Sequence, residues 1–63
     1  MSYHEYVTSR QIAAHDFPFY GLIMAAIRQA DTPNSRALRA AFPDTYREFE
    51  RRYNAPGGKL ENE

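Results

Sequence analysis

Apolar positions along the chain fall into four clusters, each spaced as a short helix would space them. The first is weak. Ser2 and Glu5 have the S-x-x-E spacing of a capping box, so a helix is expected from Tyr3 toward Ala14, although Thr8 and Gln11 repeat the pattern and offer a second start. Its apolar residues, Tyr3, Tyr6, Val7, Ala13 and Ala14, form only a thin stripe. The second cluster is dense. Asp16 is the expected N-cap and Pro18 falls in the first turn, where a helix tolerates proline. From Phe17 to Ala30, one face carries Tyr20, Ile23, Met24, Ile27 and Ala30, while Phe19, Leu22 and Ala26 cover much of the other. A helix apolar nearly all round belongs inside something, so this segment is expected at the centre, with Ile23, Met24 and Ile27 the least accessible residues.

Thr32 and Pro33 then suit the cap and first position of a third helix, which runs to Ala41 and faces inward with Ala37, Leu38, Ala41 and Phe42. Pro43 disfavours helical geometry at Phe42 and lacks an N–H, so the chain breaks there and restarts. The fourth helix, about Pro43 to Tyr53, places Phe42, Tyr46, Phe49 and Tyr53 at offsets of 0, 4, 7 and 11, a single stripe expected to face the core. Its opposite side is charged, with Glu48 and Arg52 in the favourable i, i+4 order. Asn54-Ala55-Pro56-Gly57-Gly58 ends the helix. The polar residues 55–63 are expected to form a flexible, disordered C-terminal tail whose last five residues bury little and cap nothing. No segment alternates with a strand period and no internal repeat occurs. The expected fold is all-α, a compact bundle of three to four short helices over residues 1–54.

Length limits what such a bundle can hold. With 63 residues there is room for one core, and a chain this short buries only about 60% of the surface its unfolded form exposes. There is no cysteine, which removes disulfides, thiolate zinc sites and a thiol nucleophile together. The start lacks the basic and apolar regions of a secretory signal, and the longest apolar stretch, Phe17 to Ile27, is interrupted and too short to cross a bilayer, so a cytoplasmic protein with no membrane partner is expected.

Candidate chemistry is sparse. His4 and His15 each stand beside a carboxylate, but their separation of eleven residues matches no helical metal-ligand pair. No serine lies in a nucleophile-elbow context, and the three glycines build no phosphate-cradling loop. The chain therefore reads as a non-enzyme with no metal and no cofactor. Thr8 to His15 followed by an apolar helix has the outline of a helix-turn-helix, yet the second helix offers nothing polar to base edges, and the formal net charge is zero. Nucleic acid is accordingly a disfavoured partner. Charge is unevenly spread, however: residues 32–53 carry five arginines against three acids. Arg36 with Arg39, and Arg47 with Arg51, share helical faces near Tyr46 and Tyr53, a combination that could bind an anionic small molecule such as a nucleotide. The alternative is a solvated face over an aromatic stripe.

The segment Asp16-Phe17-Pro18-Phe19-Tyr20-Gly21-Leu22-Ile23-Met24-Ala25-Ala26-Ile27-Arg28-Gln29-Ala30-Asp31, with Leu38-Arg39-Ala40-Ala41-Phe42-Pro43 and Arg52-Tyr53-Asn54-Ala55-Pro56-Gly57-Gly58, resembles a group of short uncharacterised proteins of actinobacterial viruses, the match covering residues 3 to 58. The resemblance implies a viral accessory protein working in the host cytoplasm, one that binds a host component or sequesters a molecule used in host defence. It assigns no role to any residue. The residues themselves supply a physical motive for binding: nine aromatics and a two-faced apolar helix in a chain with little interior. Expected function is thus protein–protein interaction together with homo-oligomerisation. The alternatives are an oligomeric sponge for a nucleotide-like anion and a small nucleic-acid-binding protein.

Overall fold

Helix punctuation decides the architecture. In the computed structural model, which describes residues 1–61 and 63, α1 spans Tyr3–Ala13, α2 Phe19–Gln29, α3 Thr32–Ala41 and α4 Pro43–Tyr53, and a 3₁₀ turn follows at Pro56–Gly58. No strand occurs among the described residues, so the fold is the expected all-α bundle of short helices.

Ser2 caps α1 by accepting the Glu5 N–H at 3.1 Å, whereas Thr8 stays inside the helix and donates its hydroxyl to the His4 carbonyl. Asp16 does not cap α2. It closes α1, its N–H reaching the Ala13 carbonyl with φ at +53°, a left-handed conformation that Asp tolerates better than most residues. The start of α2 is set by Pro18, which is extended rather than helical and whose carbonyl accepts the Leu22 N–H. At α3 the cap is Asp31, not Thr32, because its carboxylate accepts the Asn34 N–H at 3.0 Å and also suits the positive end of the helix dipole. Phe42 and Pro43 divide α3 from α4 as the sequence requires.

The helices α2, α3 and α4 pack on one another, and the 3₁₀ turn packs on α4. By contrast, no Cα of α1 comes within 8 Å of a Cα in the other helices. The chain is drawn out accordingly, measuring 41 × 27 × 17 Å. Its radius of gyration is 13.4 Å, against about 10.6 Å expected for a compact chain of this length.

Burial is correspondingly shallow. Among the described residues Ile27 is the one buried apolar residue, while Leu22, Ile23, Met24, Leu38, Phe42, Tyr46 and Phe49 are half-buried. The expectation that all of Phe17–Ala30 forms the buried centre is thus met on one side only. Phe17, Phe19, Tyr20, Ala25 and Ala26 remain exposed, because α3 and α4 cover a single face of α2. Ala37 and Ala41 are exposed as well, and Tyr53, placed by its spacing on the core stripe, has the Arg28 side chain of α2 over its ring and is still 65% exposed.

The residues after α4 make polar contacts back to it. Gly57 and Gly58 adopt positive φ, 63° and 72°, and turn the chain back on α4. There Arg52 donates to the Gly58 carbonyl at 3.0 Å and to both carboxylate oxygens of Glu63 at 2.6 Å, and Leu60 is half-buried. A cation pointing back along α4 gives the polar segment something to bind, which composition alone does not reveal.

Candidate interaction surface

The exposed aromatic residues gather where α1 ends and α2 begins. The turn over residues 14–16, left-handed at Asp16, and the extended Pro18 place Phe17 between the helices rather than on a helical face. Its ring stacks on His15 instead, with centroids 5.3 Å apart and planes 18° from parallel. One turn further, Phe19 meets Tyr20 edge-on at 5.2 Å and Phe42 edge-on at 6.1 Å. Phe42 is held there by the α3–α4 break that Pro43 imposes. Phe17, Phe19 and Tyr20 are 52%, 57% and 57% exposed. Such a set of solvent-facing rings, preorganised by edge contacts, is the composition enriched at the energetic centres of protein interfaces.

A second feature lies between α2, α4 and the 3₁₀ turn, an open cleft of about 650 Å³. Gly21 and Ala25 keep its α2 side shallow. On the α4 side, the Arg28 guanidinium lies over both Phe49 and Tyr53, 5.3 and 5.6 Å from their ring centroids. Arg52 lies at the other end, bonded by Nε to Glu48 at 2.9 Å as well as to Gly58 and Glu63. Its bidentate hydrogen bonds hold the Glu63 carboxyl down to about 2, helped by the Leu60 N–H, and the same pairing with Glu63 and then Glu48 raises the Arg52 guanidinium still further above its usual range.

The six residues singled out from sequence do not converge. Arg39 lies over the Tyr46 ring at 5.7 Å, and the Tyr46 hydroxyl shares a 2.9 Å hydrogen bond with Ser35, which ties α3 to α4. Arg47 pairs with Asp44 on the exposed side of α4. Arg36 and Arg51 are exposed, and Tyr53 belongs to the separate α2–α4 cleft. The cation that lies over the aromatic stripe from α2 is Arg28, for which no sequence signal told the partner helix, and Arg52, expected to pair with Glu48 at i, i+4, does so and lines the same cleft.

Among the described residues, no three His, Asp or Glu side chains gather as a metal site would require, and no helix is long and apolar enough to cross a membrane. The chain matches no family model, no curated protein and no solved structure.

Proposed function

We propose that this chain is a non-enzymatic binding protein, a viral accessory factor that acts by docking on a protein surface through the aromatic rings at the start of α2. One observation carries the reading: Phe17, Phe19 and Tyr20 are each more than half exposed while joined to His15 and Phe42 by ring contacts. Large apolar groups grouped in this way lose free energy in water and gain it against a complementary surface, at about 25 cal/mol per Å² removed from solvent. The test is affinity capture with the full chain and with Phe17→Ser/Tyr20→Ser, followed by reconstitution with the purified partner. The expected result is a stoichiometric complex lost in the double variant. Equal capture by both forms would refute the assignment.

A second reading rests on the α2–α4 cleft. The Arg28 guanidinium and two aromatic rings on one wall suit an anionic, ring-bearing ligand such as a nucleotide, Arg52 being already held by Glu48 and Glu63. Mass spectrometry of small molecules released from the purified protein distinguishes the two. A nucleotide retained by the wild type and lost in Arg28→Ala supports this second reading.

A further inference from the structure

Helix α1 is an anomaly. It is 11 residues long, and isolated helices shorter than about 12–15 residues are marginal in water even with the best helix formers. Its Ser2 cap contributes too little to change that, and no helix of its own chain packs against it. The rest of the molecule has the reciprocal deficiency. Between α2 and α3 lies an open cleft of about 670 Å³ walled by Ala26, Ala30, Ala37, Leu38 and Ala41 together with the polar Gln29 and Asn34. Methyl-sized side chains on both sides let a third helix approach closely, and among the described residues Glu5 is the part of the chain's own α1 that lines the space.

Surface area indicates how much is missing. The chain exposes 5515 Å². A compact monomer of its mass exposes about 4,200 Å², so about 1,300 Å² per chain is in excess. Each partner in a standard protein interface covers about 800 Å², which the excess more than accommodates. Charge is permissive: the formal net charge is zero, so two copies do not repel, and α1 balances Glu5 against Arg10 while α3 carries Arg36 and Arg39.

We infer that two copies of this chain exchange their arms, each α1 lying in the alanine-lined α2–α3 cleft of the other. The arrangement is isologous, so one contact made twice covers both unpartnered helices and both clefts. It builds on the binding reading above but uses a different surface, which leaves Phe17, Phe19 and Tyr20 available to a foreign partner.

The absence of native cysteine makes the test clean. Sedimentation of the full chain is expected to show a dimer that dissociates on dilution, with a melting temperature that falls as it does. Tyr3→Cys, Tyr6→Cys or Val7→Cys chains, mixed with isotope-labelled Ala37→Cys chains under mild oxidation, are expected to form labelled–unlabelled disulfides at one arm position at least. Ala37→Arg, at an exposed site that does not strain the monomer, is expected to weaken dimerisation by more than about tenfold, and Phe19→Ser to leave it intact. A folded monomer at every concentration, or a dimer without arm-to-cleft crosslinks, overturns the inference. Neither result touches capture of a foreign partner, and failed capture by an intact dimer would sink the binding reading alone.

Discussion

Replacing Ile27 by alanine removes three carbon atoms from the one side chain that the fold buries, at 7% exposure. At about 0.8 kcal/mol per buried carbon the transfer loss is about 2.4 kcal/mol. The cavity left behind adds little, because its neighbours Ile23, Met24, Leu38 and Phe49 are half-buried and free to settle inward. A total near the lower end of the usual range of about 2–5 kcal/mol follows. Against the roughly 3–5 kcal/mol that a core of this size supplies, that is most of the stability. In a chain this short, a loss of about 2.5 kcal/mol corresponds to a fall of about 10–20 °C in melting temperature. The assay is thermal denaturation followed by far-UV circular dichroism, with all variants at one chain concentration. Phe17→Ala, at a 52% exposed position, should change stability by no more than about 0.5 kcal/mol. Ile23→Ala should fall between the two. If Ile27→Ala melts with the wild type, or Phe17→Ala is as damaging, the packing of α2 against α3 and α4 is wrong.

Other consequences are smaller. Asp31→Ala removes the acceptor for the Asn34 N–H and should cost about 1 kcal/mol in urea denaturation, while Thr32→Ala, at a position that does not cap, should cost less. Arg28→Ala should lose about 0.5–1 kcal/mol from the stacking over Phe49 and Tyr53, with Arg28→Lys recovering part of it. The Glu63 carboxyl is lowered by Arg52, so its contribution is present above the ordinary value of 4.5 and is lost as pH falls toward about 2. Carbon-detected NMR titration should therefore place the Glu63 midpoint well below 4.5, and Arg52→Gln should return it to the normal range.

Local signals in the sequence were read correctly wherever a single residue type has one outlet. Pro43 after Phe42 leaves the backbone little choice, and the α3–α4 boundary stands where it puts it, while of the two capping patterns offered for α1 the one at Ser2 is used. Reading failed where two neighbours compete for one role. Asp16 and Asp31 are each able to cap or to turn: Asp16 adopts a left-handed conformation at the end of α1, and Asp31 caps α3 one position before Thr32. The aromatic content of Phe17 to Tyr20 signalled an interface, but the stripe pattern could not tell which face of α2 would be covered, since both are apolar. Placement of the arginines was not legible either. Arg39 reaches Tyr46 across a helix break, and Arg28 reaches Phe49 and Tyr53 from another helix altogether, relations fixed by packing and not by spacing.

The most direct test of the central claim, that this chain is completed by association, is hydrogen exchange of the α1 amides over about a hundredfold range of chain concentration. Dimerisation by arm exchange predicts that Tyr6 to Ala13 are protected at high concentration and lose protection on dilution, while the amides of α2 around Ile27 lose less. Protection of α1 that is the same at every concentration would contradict it, because the arm would then be stabilised within its own chain.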